Sequence, residues 1–172
     1  VDVTAEWYKE QPTNRNFLSP VGFQFDLELF SGVDFFCQSV NLPDISMPVA
    51  EIPNKFRSIP LPGSGGVQFG DLNVQFLIDE DLKNYMSIQN WIRDFGLTEG
   101  HASGLDKTSR GRIQVLTSNF NGNFYVNFEE LFPIALTGVN FDATPSDIDY
   151  VTATAVFKYT RYNVQTETGT NL

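Results

Sequence analysis

The residue types that carry out chemistry in proteins are sparse in this chain. It contains one histidine, His101, and one cysteine, Cys37, and so lacks both an intrachain disulfide and the ligand spacing of a usual zinc site. A Cys–His nucleophile pair is arithmetically available, but nothing in the sequence places the two residues together. We therefore interpret His101 as a solvated residue of a Gly/Ser-rich loop. Cys37 is interpreted as a small buried residue on a strand.

Three other segments imitate functional motifs. The run Gly63–Gly66 lacks the lysine of a phosphate-binding loop and precedes a strand, so a flexible turn is the better interpretation. The acidic run Asp79–Asp81 stands where a helix start favours negative charge, which makes capping preferable to metal binding. The carboxylates of Asp142, Asp147 and Asp149 surround a turn without EF-hand spacing. The sequence thus predicts no catalytic residues, no metal and no cofactor, and a chain that is not an enzyme.

The composition narrows the class of protein further. The 172 residues are 41% hydrophobic and 19% charged, as expected for one globular domain with a real core. Acidic residues number 21 against 11 basic ones, a net charge of −10 that repels the nucleic-acid backbone. The charge remains compatible with a protein past which nucleic acid moves without being bound. No apolar run has the length of a membrane helix, and we expect a soluble protein made in the cytoplasm.

One segment predicts the only convincing helix. Residues 71–78 alternate as a strand with one buried face, and residues 80–95 carry an apolar stripe at helical spacing. We expect Asp79 to cap the helix start, the acids that follow it to suit the first turn, and Gly96 to end the helix. Trp91 lies within the stripe, and we interpret it as a core residue and not as part of a ligand pocket.

The remaining pattern is that of strands. Residues 21–30 alternate cleanly, and we expect them to form a hairpin with a second strand at 34–42. Asn121–Gly122 predicts a tight turn between two later strands. Those and the other strands are predicted at 112–119, 123–130, 132–141 and 149–162. The predicted fold class is mainly β, an antiparallel β-barrel or sandwich of about six or seven strands with one flanking α-helix.

A proline-rich segment interrupts this pattern. Residues 43–66 hold five of the nine prolines, which excludes a central strand, yet they are too apolar for a solvated loop. We interpret the segment as an extended interaction arm or long hairpin that docks on another surface. We expect 1–172 to be a single domain in which residues 1–20 form an N-terminal arm and 163–172 a flexible tail. The apolar residues predicted to make inter-subunit contacts are Ile45, Met47, Val49, Ile52, Phe56, Ile59 and Leu61.

The order of elements resembles that of the tail tube proteins of contractile-tailed bacteriophages and the related tube-initiator proteins of the baseplate. The resemblance rests on FQFDLELF, a second strand ending in Leu42–Pro43, the long arm, the strand-to-helix segment DEDLKNYMSIQNWI, and the final block LFPIALTGVNFDATPSDIDYVTATAVFKYTRY. It covers roughly Phe17 to Tyr162. Its most specific parts are the final block and three helix residues, namely Tyr85, Gln89 and Trp91.

This resemblance implies a structural virion protein. Six subunits would form a ring, and stacked rings would form a tube within a contractile sheath, with the phage tail as location. Implied partners are further copies of the chain, the tail sheath protein, the baseplate initiator, the tail terminator, and the tape-measure protein and DNA in the lumen. DNA would be conducted during ejection without specific binding. Asp26 and Glu28 are the acidic residues that we expect to face the lumen.

Other functions remain open at this point. The nearest are a tube-initiator or distal-tail ring of the baseplate and a secretion-system tube protein, which share the fold implied by the resemblance. A β-barrel hydrolase or ligand-binding module would require Cys37, His101 or a carboxylate pair to converge in a cleft. A β-sandwich adhesin or receptor-binding module is compatible with the aromatic content. The apolar arm, which is costly to leave exposed, favours assembly over an adhesin or receptor-binding module.

Overall fold

The secondary structure is mainly β, as the sequence predicts. A computed structural model describes residues 18–29, 37–63, 65–96, 107–142 and 150–171. In these residues one helix, α1, spans Lys83–Gly96. The strands are β1 Phe23–Leu27, β2 Cys37–Val40, β3 Ile45–Ser46, β4 Ala50–Pro53, β5 Ser58–Leu61, β6 Gln68–Phe69, β7 Leu72–Leu77, β8 Ser109–Leu116, β9 Gly122–Leu136, β10 Thr152–Lys158 and β11 Arg161–Thr166.

Strand β9 connects two layers of antiparallel sheet. Seven strands are hydrogen-bonded in the order β1-β8-β9-β10-β7-β2, with β11 also paired to β9. The amino-terminal half of β9 pairs with β8 and β11, and its carboxy-terminal half pairs with β10. We call β1, β8, β11 and the first half of β9 the first layer. The second layer consists of the second half of β9 together with β10, β7 and β2. β9 bends where the layers meet, at Glu130, which has a φ of 54°. The chain between β10 and β11 bends beside it at Thr160, whose hydroxyl is hydrogen-bonded to the Glu130 carboxylate.

The core lies between the layers and is closed by the helix. Alternate residues of each strand point inward, as period-2 patterning requires. Trp91 of α1 is 4% exposed, its ring centroid lies 6.2 Å from that of Phe157, and its indole N–H donates to the Lys107 carbonyl at 2.8 Å. Trp91 is therefore a core residue, as predicted. The buried apolar residues are Phe25, Leu27, Leu72, Val74, Phe76, Ile88, Trp91, Ile113, Val126, Phe128, Leu131, Ala153, Ala155 and Phe157.

The junction between β7 and α1 differs from the prediction. The helix begins at Lys83 and has no acidic residue in its first turn, so the prediction that Asp79 caps a helix starting at residue 80 is wrong. Leu82, at a φ of 59°, instead accepts the first helical hydrogen bond, from the Met86 N–H at 3.0 Å. A turn with this left-handed residue separates the acids from the helix and redirects the chain.

The side chain of Asn84 holds this junction together. It is 3% exposed, and its Oδ1 accepts from the backbone N–H groups of Tyr85 at 2.7 Å and Asp79 at 3.3 Å. Its Nδ2 donates to the Leu77 carbonyl at 2.8 Å. One buried amide thus satisfies backbone groups of the strand, the turn and the helix, which buried polar groups require.

β1 and β2 take different partners within the main sheet. β1 pairs with β8, and β2 pairs with β7. The hairpin predicted between 21–30 and 34–42 would run through residues 30–36, which lie outside the described residues, so that prediction is not tested. The alternation of β1 is as predicted, but the strand is shorter, with Val21 74% and Leu29 52% exposed. Alternation identifies the buried face of a strand but carries no information about which distant strand supplies its hydrogen bonds.

Later strand boundaries also differ. The strands predicted at 123–130 and 132–141 are parts of one bent strand, β9, which ends at Leu136, so residues 137–141 lie outside it. The strand predicted at 149–162 corresponds to two strands, β10 and β11. Residues 163–166 belong to β11, in the region predicted as a flexible tail. β8 and β9 form the predicted hairpin. The prediction of a tight two-residue turn at Asn121–Gly122 is wrong, because the loop runs from Thr117 to Asn121 and Phe120 is the residue with a positive φ, of 60°.

We predict that Asn84→Ala lowers the free energy of unfolding by about 3 kcal/mol, because three backbone groups lose a buried partner. Urea unfolding followed by tryptophan fluorescence measures this change. Asn90→Ala, at an exposed position of the same helix, is the matched control and is expected to change stability by less than about 0.5 kcal/mol. Equal effects of the two substitutions would contradict the role assigned to Asn84.

Candidate functional site

The structure provides little support for a chemical site at the residues considered first. Within the described part of the chain, no group of three or more His, Cys, Asp or Glu residues is arranged to hold a metal ion. Cys37 lies half-buried on β2, where it packs against the core. Asp142 is exposed. His101, Asp147 and Asp149 lie outside the described residues, so their predicted roles are not tested. Helix α1 is too short and too polar to cross a membrane.

The proline-rich segment is a long hairpin that leaves the body of the protein. β3 pairs with β6 at its base, and β4 pairs with β5 further out. We call residues 45–69 the hairpin arm. Of the two shapes that the sequence predicts for this region, the long hairpin is therefore the observed one.

One face of the outer hairpin is apolar and uncovered. In the β4–β5 register Ala50 lies opposite Leu61 and Ile52 opposite Ile59, so these four side chains share a face. Every residue of both strands is exposed in the single chain. The seven predicted contact residues all lie on the arm with exposures of 41–88%: Ile45, Met47, Val49, Ile52, Phe56, Ile59 and Leu61. A contiguous exposed apolar surface of this kind is typical of an interaction site.

The tip of the arm carries its most exposed aromatic residue. Asn54 N–H donates to the Arg57 carbonyl at 3.2 Å, and the Asn54 Oδ1 accepts from the Lys55 N–H at 2.7 Å. These bonds close the turn on which Phe56 is 88% exposed. A defined turn therefore presents this ring to solvent at the far end of the hairpin.

Aromatic residues fasten the base of the arm to the body. The Phe69 ring of β6 lies 5.5 Å from that of Tyr162 and 5.9 Å from that of Tyr159, and Tyr159 lies 5.0 Å from the buried Phe128. Contacts at such distances contribute about 0.5–1.5 kcal/mol each beyond the area that they bury. The arm is thus anchored at its base and uncovered along its outer part.

Polar contacts reinforce this anchor. The Gly70 N–H donates to the Asp44 carbonyl at 2.9 Å, and the Asp44 carboxylate occupies the space that a Cβ at position 70 would fill. Lys158 forms an ion pair with Asp71, with 2.6 Å between Nζ and Oδ1. Sequence reasoning missed this anchor. Its only signal was the pair of tyrosines at 159 and 162, where the alternation of the last strand breaks.

Tyr159 lies in an unusual environment within the anchor. Its hydroxyl oxygen is buried and has no hydrogen-bond partner among the described residues. Burial raises the pKa of Tyr159 to about 12, with smaller contributions from the nearby Tyr162, Asp44 and Asp71. The tyrosinate form is therefore disfavoured where the arm meets the body.

The described residues of β11 leave one edge of the main sheet largely unpaired. β11 pairs with β9 along one edge. Its other edge carries a bridge from Gln165 to Asn171. Such an edge exposes backbone donors and acceptors that another strand can pair with.

The outward face of the first layer is polar throughout. Because opposite residues of paired strands share a face, Asp26, Arg112, Asn127 and Asn163 form one row across the four strands. Asp26 and Glu28 line a shallow depression of about 510 Å³ on this face. The two predicted lumen residues therefore do share a surface, together with arginines that the sequence analysis did not include.

Chains with a similar fold occur in several solved structures. The anti-feeding prophage (AFP) tube-terminating cap has a chain with a TM-score of 0.66 and 15% identity, covering 96% of this chain and 99% of that one. The extended sheath–tube complex of the extracellular contractile injection system PVC gives 0.64 and 16%, covering 95% and 97%. Hcp1 from Flavobacterium johnsoniae gives 0.50 and 12%, covering 91% and 98%. No curated protein sequence matches the chain.

The sequence itself identifies the family. Residues 10–165 match the family model described as phage tail tube protein, and the chain therefore belongs to that family. This confirms the resemblance found in the sequence and the predicted fold class. It also confirms the expectation that the chain is a structural protein and not an enzyme.

We predict that raising the pH from 10 to 12 destabilises the protein partly through Tyr159. In this range the unfolded tyrosine, with its ordinary pKa of 10.0, loses its proton while the folded one, at about 12, keeps it. The unfolded state then binds fewer protons, so stability falls as pH rises and is unaffected by this group below pH 10. Urea unfolding at several pH values should show a smaller loss for Tyr159→Phe than for the unmodified protein.

Tyr150→Phe serves as the control for that experiment because Tyr150 is 78% exposed. It should lose stability with pH as steeply as the unmodified protein does. A parallel pH dependence for Tyr159→Phe and Tyr150→Phe would contradict the assigned environment. Below pH 10, Tyr159→Phe should change stability by no more than about 1 kcal/mol, because the hydroxyl that it removes is unpaired.

Proposed function

We propose that the chain is a subunit of the tail tube of a phage or phage-like contractile particle, assembling as hexameric rings that stack into a tube. The observation that carries this proposal is the uncovered apolar face of the hairpin arm in a chain of the tail tube family. An apolar face held out on an anchored hairpin is costly in a monomer and gains free energy when a second subunit covers it.

The largely unpaired edge of β11 supports lateral assembly. A ring in which β11 of one subunit pairs with a strand of the next subunit would cover that edge. Contacts between stacked rings join unlike surfaces and do not close, so they extend into a filament. The arm is then the contact between subunits, and residues 1–172 act as one tube domain.

The proposed partners follow from the family and from the similar structures. In PVC a chain of this fold occurs in a sheath–tube complex, and in AFP one occurs in the tube-terminating cap. By analogy, this tube would contact a sheath protein outside, an initiator and a terminator at its ends, and the tape-measure protein and DNA in its lumen. Its location would be the tail of the particle, and DNA would pass through it during ejection.

We place the polar outward face of the first layer toward the lumen. It carries the two predicted residues, Asp26 and Glu28, and its rows of amides and charged groups suit a water-filled passage. The apolar arm, in contrast, suits contacts between proteins.

Negative-stain electron microscopy of the purified protein tests the proposed function. We expect rings and tubes whose length grows with protein concentration. A particle that stays monomeric at every concentration, also after addition of preformed tube ends, contradicts the proposal. Assembly that stops at single rings would identify the protein as a tube initiator or distal-tail ring.

We predict that Ile59→Asp and Phe56→Asp each abolish tube formation while the subunit stays folded. The new carboxylate would be buried without a partner at the contact, whereas it is solvated in the monomer. Microscopy measures assembly, and circular dichroism with thermal unfolding measures folding. Phe120→Asp is the matched control because Phe120 is 67% exposed in the β8–β9 loop, away from the arm. Normal tubes from both arm variants would show that the arm is not the contact.

A further inference from the structure

The outward face of the first layer carries basic as well as acidic side chains. The carboxylates of Asp26, Glu28 and Glu129 share it with the guanidinium groups of Arg110, Arg112 and Arg161. The Glu167 carboxylate lies at the end of this face, beside Gln114 and Gly122. Four acids against three bases make the face less acidic than the whole chain, in which 21 acids stand against 11 bases.

Neighbouring strands bring these opposite charges together. Asp26 of β1 lies directly opposite Arg112 of β8, and the Glu28 N–H donates to the Arg110 carbonyl at 3.0 Å in the next row. Arg161 of β11 lies opposite Glu129 of β9, with 2.5 Å between Nε and Oε2, and this carboxylate raises the pKa of Arg161. Asp26, Glu28 and Glu129 thus each have a base on an adjacent strand, and Glu129 forms an ion pair with its base, Arg161.

Uncharged side chains hold the central arginine in place. The Arg112 Nε donates to the Asn127 Oδ1 at 2.9 Å, and the guanidinium carbon lies 5.2 Å from the centre of the Tyr125 ring. Asn127 in turn donates to the Gln165 Oε1 at 2.9 Å. The guanidinium is consequently held over β9, on the side of β8 that faces away from Asp26, by contacts that reach across three strands.

We propose that this face forms a charge-compensated lining in which the arginines offset most of the field of the carboxylates, so that a polyanion such as DNA is neither held nor strongly repelled as it passes. This inference rests on the proposed tube function. It replaces the expectation of an acidic lining, because Asp26 and Glu28 do not stand alone on their surface. Opposite charges on neighbouring strands together produce a field that falls off faster than that of either charge, and salt screens it further.

The test removes one sign of charge from the lining of assembled tubes. Asp26→Asn with Glu28→Gln leaves Arg110 and Arg112 uncompensated, and each substitution keeps the shape of the side chain. Tubes are mixed with a fluorescent oligothymidylate and sedimented, and the retained oligonucleotide is measured across a salt series. We expect no retention by unmodified tubes and clear retention by the double variant. That retention should fall about tenfold or more between roughly 50 and 200 mM salt, as release of counterions from several phosphates requires.

A matched control separates the lining from the general charge of the particle. Glu80→Gln with Asp81→Asn removes the same charge from the exposed turn before α1, and these tubes should retain no oligonucleotide. An acidic lining predicts instead that loss of Asp26 and Glu28 merely weakens repulsion, with no retention. Equal behaviour of the two double variants, or retention by unmodified tubes, overturns the charge-compensated lining. Absence of tubes from every sample overturns the proposed function together with the lining.

Discussion

The structure depends on one constraint, the need of a long strand to satisfy its backbone hydrogen bonds in two layers at once. β9 pairs with β8 and β11 along its first half and with β10 along its second. It meets this need by bending at Glu130, and the chain that pairs with it bends at Thr160. The bend places two sheets face to face, and the core forms between them. The helix then closes the space that remains.

The same bend determines where the arm leaves the body. Tyr159 and Tyr162 flank the kink between β10 and β11, and their rings hold Phe69 at the base of the hairpin. The body therefore buries the base of the arm and leaves the outer hairpin uncovered. Rigidity at the base and exposure beyond it are what an assembly contact requires, since an ordered hairpin loses little entropy when a partner covers it.

The two proposed surfaces of the protein differ in physical character. The arm is apolar and gains free energy by leaving water, whereas the outward face of the first layer is polar and stays hydrated. On that face Glu129 forms an ion pair with Arg161 of the neighbouring strand. In a tube, the apolar arm would hold the subunits together, and the polar face would line the passage without binding what moves through it. A protein that must bind its own copies tightly and its cargo weakly needs both surfaces.

Several elements of the fold were determined by the sequence alone. Period-2 alternation identified the buried faces of β1, β7 and β10, helical spacing identified α1, and the prolines excluded 43–66 from the central sheet, because each is a local steric or solvation effect. Strand partners, the late start of α1 and the arginines beside Asp26 and Glu28 were decided by the tertiary structure. Asn84 stabilises the helix start only where Leu77 is held by its sheet, and Arg112 meets Asp26 only through a pairing of strands far apart in the chain. Contacts between distant residues depend on the packing of the whole fold, and no local pattern encodes them.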